Sequence, residues 1–322
     1  MKVSVLMPVR NASGTLGEAL RCVLGQTLAP AEVVLVLNGE DVATGRAAAE
    51  ACAADASVRV VRAPGVNLAG ALNIGLRACV HGLVARMDAD DWCDPRRLEV
   101  QAGVMTREGS LAVLGCGWEQ WFAGEVRAVV RPPGDPAALR LRLLEENCLA
   151  HGSVMMRRSA VLGAGGYDER LDRAQDYGLW LRLSRDGRVG AVGEVLYRYR
   201  LRSWGGSYSG DETQARCAAG ALVREWAGLP RADADGLARL EDLASSLLGA
   251  GGETALAGFV SEAGSSPSVE SLAAWWWARS WALRRGGVGM WGFGRAPAGD
   301  GSQAASRGTA GSAGVVAAGG SA

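Results

Sequence analysis

The sequence predicts an α/β fold: a mixed, mostly parallel sheet flanked by helices, with a C-terminal helical appendage and a disordered tail. Three observations carry this expectation. Apolar run, polar turn and helical repeat follow one another through residues 2–107, the pattern of successive βα units. Alternating side chains around Ala123-Gly124 then predict an antiparallel hairpin, so the sheet is not parallel throughout. From about residue 210 only helical spacing remains. The expected organisation is a sheet-forming domain at 1–209, a helical region at 210–293 and a tail at 294–322. That tail is rich in Gly, Ala and Ser and cannot repay the entropy of ordering.

Val3-Ser4-Val5-Leu6-Met7 makes the first strand, at 2–8, and Pro8 stops it. After the polar turn Arg10-Asn11-Ala12-Ser13, residues Leu16, Ala19, Leu20, Val23 and Leu24 recur at helical spacing. A second strand at 32–37 leads through Asn38-Gly39 to an Ala-rich helix at 44–54. A third at 58–61 leads through Pro64-Gly65 to a helix carrying Leu68, Ala71, Leu72, Ile74, Gly75 and Ala78. Gly82-Leu83-Val84-Ala85 is the fourth strand. The next helix starts at Asp94-Pro95, a capping residue followed by proline at the first helical position, and runs to about Arg107. Right-handed crossovers open the turns after parallel strands on one edge of the sheet, so Arg10, Asn11, Asn38 and Asp88 should line one crevice.

A strand at 111–116 precedes the hairpin at 118–130, and Pro132-Pro133-Gly134-Asp135-Pro136 opens a helix through Leu139, Leu141, Leu143 and Leu144. Residues 148–156 read as a strand. Leu179, Trp180 and Leu183 then define a helix with Asp176 at its amino end. A last strand at 189–199 ends in Arg198, Arg200 and Arg202, either a blunted sheet edge or a set of forks for phosphate. Helices are expected at 213–227, 233–248, 254–263 and 268–285. The last of these carries Trp275-Trp276-Trp277, Trp281 and Arg284-Arg285. It is either a packed helix or one lying in a membrane interface.

A chain of 322 residues can bury a large core, and a formal charge of +0 gives no electrostatic reason to expect nucleic acid as a partner. Lys2 is the only lysine. Seven cysteines lie scattered without a Cys-x-x-Cys pair, and His81 and His151 supply no zinc spacing, which suggests reduced thiols in the cytosol. The chain opens directly on a strand, and nowhere do about 18 apolar residues run unbroken. The expected location is cytoplasmic, extending to peripheral contact with the inner face of the membrane.

Asp88, Asp90 and Asp91 fall within four positions, between the end of the fourth strand and a new helix. Carboxylates that close repel one another, whereas a hard divalent cation bound by oxygen makes the crowding favourable. The carboxyl edge of an open α/β sheet is also where such folds bind ligands. An acidic turn that caps a helix and complements its dipole is the competing reading, and it applies equally to Asp176.

The stretch Ala85-Arg86-Met87-Asp88-Ala89-Asp90-Asp91, followed by Asp94-Pro95-Arg96-Arg97-Leu98-Glu99-Val100-Gln101, resembles family 2 glycosyltransferases of the GT-A (Rossmann-like) fold. Further matching segments follow in the same order: Val5-Leu6-Met7-Pro8-Val9-Arg10-Asn11, Val23-Leu24-Gly25-Gln26-Thr27, Ala69-Gly70-Ala71-Leu72-Asn73-Ile74-Gly75-Leu76, Gly165-Gly166-Tyr167-Asp168 and Gln175-Asp176-Tyr177. The similarity spans roughly residues 1–205. It implies inverting transfer of a sugar from a nucleotide diphosphate sugar, with UDP the expected nucleotide, to an acceptor hydroxyl of a polysaccharide, glycolipid or lipid-linked oligosaccharide. In such enzymes the Asp-x-Asp element, here Asp88-Ala89-Asp90, holds Mg²⁺ or Mn²⁺ against the diphosphate. Asp90 would be the principal ligand and Asp88 its partner. The resemblance makes Asp176 the general base and puts Pro8, Arg10, Asn11, Asn38, Asn73, Arg86 and Asp88 on the nucleotide-sugar side.

Three departures stand out. Leu37-Asn38-Gly39-Glu40 replaces the Asp-Asp-Gly-Ser-like end of the second strand, and Arg10 replaces a frequent aromatic residue, so an arginine plane would stack on the base. Relatives often carry histidine after Tyr-Arg in the last strand; here only Arg198, Arg200 and Arg202 stand there. Nucleotidyl transfer is the competing enzyme class, but it normally shows a Gly-rich phosphate loop with lysine, and none is present. The non-enzyme alternative is a nucleotide-sugar-binding or scaffolding protein. Donor and acceptor contacts are the expected partners, with membrane contact through the Trp-rich segment 268–285.

Overall fold

The structure, a computed structural model, describes residues 1–201 together with Ala218 and Ala221. In chain order its elements are β1 (Val3–Val9), α1 (Leu16–Leu24), β2 (Glu32–Leu37), α2 (Val42–Ala54), β3 (Val58–Arg62), α3 (Leu68–Ala78), β4 (Leu83–Arg86) and β5 (Trp92–Cys93). There follow α4 (Arg97–Arg107), β6 (Val113–Phe122), β7 (Glu125–Val130), α5 (Pro136–Glu145), a 3₁₀ turn at His151–Ser153, β8 (Met155–Arg157), α6 (Arg158–Gly163), α7 (Gln175–Ser184) and β9 (Val189–Arg200). Of the helix expected at 213–227 only Ala218 and Ala221 are described, both helical and buried; the helices expected from residue 233, Arg202, Cys217, the Trp-rich segment and the tail lie outside the described residues.

The strands form a mixed sheet in the order β3-β2-β1-β4-β8-β6-β9-β5, with β7 paired to β6. The β3-β2-β1-β4 half is parallel, as the repeated βα pattern predicts. β8 then runs antiparallel to β4 and β6, while β9 lies parallel to β6. Period two along the central strands divides the core between the two faces. Leu6, Val34 and Val36 pack beneath α3 and the helices α5 to α7, whereas Val3, Val5, Met7, Val33 and Leu35 pack against α1, α2 and α4. Gly75 lets α3 sit directly on the sheet, since a Cβ there would collide with Leu6 and Val36.

Short polar side chains set the helix starts. Asp41 accepts from Thr44 N at 2.9 Å, Asn67 from Gly70 N at 3.0 Å and Asp135 from Ala138 N at 2.8 Å, with Pro136 in the first turn of α5. The start expected at Asp94-Pro95 is displaced, and α4 begins at Arg97. The cause is β5, which pairs Trp92 with Arg198 and Cys93 with Tyr197 and keeps the backbone extended, so that Asp94 N still donates to Leu196 O at 3.0 Å. Two further expectations need correction. The strand at 111–116 and the first arm of the hairpin are the single strand β6, and the strand expected at 148–156 shrinks to Met155–Arg157. There the backbone coils at His151–Ser153, held by Ser153 N and Oγ, which both donate to Ala150 O. Among the described residues no helix is long and apolar enough to cross a membrane.

One buried polar knot ties the far edge together. Glu32 Oε1 accepts from Ser4 Oγ at 2.5 Å and Val80 N at 2.7 Å, and its Oε2 accepts from Arg59 Nε at 2.9 Å. Burial opposes its charge, but these three donors outweigh burial and hold the carboxyl below the ordinary Glu value. Its contribution is therefore complete above the unfolded pKa of about 4.3 and is lost as pH falls through the lower folded value. Glu32→Ala should lower unfolding stability by roughly 2–3 kcal/mol in urea titrations at pH 7, with the deficit shrinking in acid below pH ~4.

Candidate active site

The site lies where β1 and β4 part. Leu6 O still accepts from Met87 N at 3.0 Å, but β4 ends at Arg86. Pro8 points the same way as Leu6, two residues on, and has no N–H to leave unsatisfied on that side. Beside it a cleft of about 340 Å³ is bounded by the turn after β1, the end of β2 and the start of α2. Arg10, Asn11, Gly39, Glu40, Arg46 and Arg62 are among its walls. Asn11 takes a left-handed conformation, φ 50°, which asparagine tolerates better than most residues. Arg10 lies over Gly39, where a Cβ would stand 3.1 Å from its Cγ.

Each of the three carboxylates after β4 has its own surroundings. Asp88 forms an ion pair with Nη1 of Arg86. Asp91 is buried: its Oδ2 accepts from the Tyr197 hydroxyl at 2.5 Å and its Oδ1 from Arg200 N at 2.8 Å. Burial, and then the charges of Asp88 and Asp90, push its pKa well up against those two hydrogen bonds. Tyr197 reaches Asp91 because residue 152 is glycine; a Cβ there would collide with the phenol oxygen. Asp90 is half-buried in the same turn.

Beneath the turn, the fully buried Arg97 stacks its guanidinium over the Tyr197 ring, 5.1 Å from the centroid. Its Nη2 donates to Arg86 O at 2.7 Å and Val154 O at 3.2 Å, and its Nε to Gln101 Oε1 at 3.0 Å. Gln101 in turn donates to Leu114 O and Ser153 O. The carboxyl end of β4 is thus fixed to β6, β9 and the His151–Ser153 turn through buried, fully used donors.

Asp176, second residue of α7, is half-buried and accepts from Asn147 Nδ2 at 3.0 Å. Burial raises its pKa, opposed by the N–H of Tyr177, the Asn147 amide and the positive charge of Arg86. The Arg86 charge links the two acid regions, since the same guanidinium holds Asp88. Burial raises the Tyr167 pKa, opposed by the charge of Arg86 and reinforced by those of Asp176 and Asp88. His151, 3.0 Å from the Tyr167 hydroxyl, is held neutral by burial and then by Arg86. Arg86 Nε is buried without a hydrogen-bond partner, a donor that costs free energy until an acceptor meets it.

Among the described residues no three His, Cys, Asp or Glu side chains gather to hold a metal ion unaided. Mg²⁺ or Mn²⁺ that keeps waters and takes phosphate oxygens needs only one or two carboxylates, which Asp88 and Asp90 supply. The residues therefore fit an ion shared with a bound diphosphate and do not fit one caged by protein alone.

Of the residues expected to line one crevice, Arg10 and Asn11 are walls of the cleft, whereas Asp88 stands with Arg86 and Asp90 at the end of β4 and is not among those walls. Asn38 is buried, its N–H donating to Val9 O at 3.1 Å, and it is not among the cleft walls. Asn73 is also turned inward. It donates to Tyr167 O at 2.9 Å and Glu169 Oε1 at 2.8 Å and accepts from Tyr167 N at 2.9 Å, so its amide is spent on clamping the Gly165-Gly166-Tyr167 loop. Arg198 and Arg200 are engaged with Glu119 and Glu18 at 2.5 and 2.6 Å. Sequence reasoning missed Tyr197, Arg97, Gly152 and Asn147. Only Arg97, inside the motif after the acid cluster, carried any local signal.

Residues 4–162 match the family described as Glycosyl transferase family 2. The putative glycosyltransferase EpsE of Bacillus subtilis is 31% identical over 204 residues, covering 62% of this chain and 73% of that protein. The amylovoran biosynthesis glycosyltransferase AmsE of Erwinia amylovora is 31% identical, with 62% and 76% covered. The Escherichia coli UDP-Gal:alpha-D-GlcNAc-diphosphoundecaprenol beta-1,3-galactosyltransferase is 27% identical, with 62% and 74% covered. Among solved structures, S. aureus TarS 1-349 in complex with UDP-GlcNAc superposes with a TM-score of 0.58 at 16% identity, over 76% of this chain and 71% of that one. The mannosyltransferase PcManGT of Pyrobaculum calidifontis, in complex with GDP-Man and Mn²⁺, gives 0.52 at 18% identity, over 86% and 85%. These two likenesses are of fold.

Because Tyr197 is what anchors Asp91, Tyr197→Phe should cost about 1–3 kcal/mol of unfolding free energy, and Gly152→Ala should be at least as damaging. Denaturant midpoints decide this; a Tyr197→Phe chain as stable as the parent would leave the anchoring role without support.

Proposed function

Since the chain belongs to glycosyl transferase family 2 and is a glycosyltransferase of the GT-A fold, we propose that it moves a sugar from a nucleotide diphosphate sugar to an acceptor hydroxyl in polysaccharide biosynthesis. The finer reading is a UDP-linked donor, inversion at the transferred carbon, and a glycan or lipid-linked acceptor. The observation that supports one site for donor and base is Arg86, which pairs with Asp88 and whose charge also acts, against burial, to lower the pKa of Asp176. A donor-binding edge and a candidate base thereby face one electrostatic field. The catalytic unit we propose is residues 1–209.

In this reading the nucleoside occupies the cleft beside Arg10 and Asn11, with the Arg10 plane against the base. Asp90, with Asp88, would hold Mg²⁺ or Mn²⁺, which when bound neutralises the charge that grows on the departing diphosphate. Asp176 takes the proton from the acceptor hydroxyl as its oxygen attacks the sugar on the face opposite the leaving group. Asn147 holds that carboxylate in one orientation by donating to Oδ2. Support for the donor class comes from the UDP-GlcNAc and GDP-Man complexes of the structural neighbours, and for the acceptor class from the diphosphoundecaprenol-linked substrate in the name of the E. coli relative.

The test is release of nucleoside diphosphate from a panel of UDP- and GDP-sugars with Mn²⁺. Asp90→Ala and Asp176→Asn should each reduce turnover by about 10²–10⁴-fold while leaving the circular dichroism spectrum unchanged. A parent chain that binds the donors and releases nothing would instead be a binding protein, and an active Asp176→Asn would remove the base assignment.

The pH profile gives a second check. Burial raises the Asp176 pKa, so the acid limb of turnover should lie above the ordinary aspartate value of about 3.9, activity being lost as pH falls through it. Asn147→Ala removes a hydrogen bond that favours the ionised form, so it should move that limb to still higher pH. A limb that stays in place would show that another group governs it.

A further inference from the structure

Two thiols beside the acid turn have no part in the chemistry above. Cys22 is in α1 and Cys93 in β5, 71 positions apart in sequence, and their Sγ atoms stand 3.1 Å apart. Both are free cysteines. Their approach is fixed by backbone as well as side chain: Cys93 N donates to Cys22 Sγ at 3.0 Å, and Cys22 Sγ donates to Cys93 O at 3.0 Å. Gln26 locks the two segments together. Its Nε2 donates to Asp94 O at 2.8 Å and approaches Cys93 Sγ at 3.4 Å, while its Oε1 accepts from Leu98 N at 2.9 Å.

We propose that Cys22 and Cys93 form a reversible dithiol–disulfide site, oxidised by a peroxide or a low-molecular-weight disulfide, that joins α1 to β5 beside the acid turn. With hydrogen peroxide, the Cys22 thiolate attacks one peroxide oxygen, giving a sulfenic acid and hydroxide. The Cys93 sulfur then displaces the hydroxyl from Cys22 sulfur, forming the S–S bond as the lost thiol proton goes into water. With a small disulfide, Cys22 forms the mixed disulfide and Cys93 expels the second thiol. In either route two thiols lose two electrons and two protons.

The surroundings assign the roles. Cys22 is half-buried and meets solvent, while Cys93 is buried, so Cys22 is the attacking and Cys93 the resolving residue. The hydrogen bond with Cys93 lowers the Cys22 pKa against burial, helped by the Cys93 N–H and the charge of Arg97. The contrast with other thiols is plain: burial pushes Cys79 up to about 12 and Cys116 up to about 11.

The bond also has a lever on the site. Closing the sulfurs from 3.1 Å to about 2.05 Å moves them about 1 Å together, and whatever χ1 rotation does not absorb must be taken up by β5 moving toward α1. Cys93 is three residues beyond Asp90 and is paired with Tyr197, which anchors Asp91. Oxidation should therefore lower transfer roughly tenfold or more, because a shift near 1 Å is enough to misalign a reacting group.

The experiment uses the full chain treated with hydrogen peroxide or glutathione disulfide near neutral pH, followed by thiol titration, peptide mass spectrometry and donor turnover. Expected are the loss of two thiols, a peptide containing Cys22 joined to one containing Cys93, and a fall in transfer that dithiothreitol reverses. Cys22→Ser should keep the parent's basal turnover, form no joined peptide and resist the oxidant. Oxidised chain with only mixed disulfides or sulfinic acids at these positions would overturn the proposal, as would an equal oxidative loss in Cys22→Ser. The peptide result needs no assumption about the substrate, so it stands apart from the reading of function.

Discussion

Three carboxylates in four residues repel one another, and the surrounding structure gives Asp91 and Asp88 different partners. Asp91 goes inward to a phenol and a backbone N–H, and Asp88 goes to the Arg86 guanidinium. Asp90 is half-buried in the same turn. Separating the charges in this way lets a short turn carry a charge density that would otherwise unfold it. It also leaves charge at the open edge of the sheet, where the proposed cation and diphosphate would complete the balance.

That arrangement needs a rigid floor, and Arg97 provides it. A guanidinium buried under the turn uses its donors on two carbonyls and a glutamine and its face on Tyr197. The floor connects parts of the chain far apart in sequence: β4, the His151–Ser153 turn, β6 and β9. The parallel half of the sheet builds the cleft beside Arg10 and Asn11, while the mixed half carries Tyr197 and supports the segment with Asn147 and Asp176. The site thus depends on the switch from parallel to antiparallel pairing at β4 and β8.

The local signals in the sequence were the ones that read true. Strand and helix periods located β1 to β4, and the turn signals Asn38-Gly39, Pro64-Gly65 and Pro132-Pro133-Gly134-Asp135-Pro136 located the starts of α2, α3 and α5 within a few positions. The acid cluster was legible because its residues are adjacent in the chain. What escaped were contacts made only in three dimensions. The helix start expected at Asp94-Pro95 yields to Arg97 because β9, more than 90 residues later in the chain, pairs with β5 and keeps that backbone extended. Asn73 matches a family segment, yet its amide is satisfied by a loop 94 residues away. Asn147, which orients Asp176, stands in a stretch with no pattern. Tyr197 sits among arginines that drew attention to charge, whereas the phenol hydroxyl is the group that reaches the acid turn.

The central claim is that Asp90 completes a cation site together with a bound diphosphate, and electron paramagnetic resonance of Mn²⁺ tests it most directly. With the parent chain, the signal of free Mn²⁺ should fall markedly only when UDP is added, and Asp90→Ala should leave that signal near its level without protein. If the Asp90→Ala chain and UDP together quench free Mn²⁺ as strongly as the parent does, the acid turn does not hold the ion and the account fails.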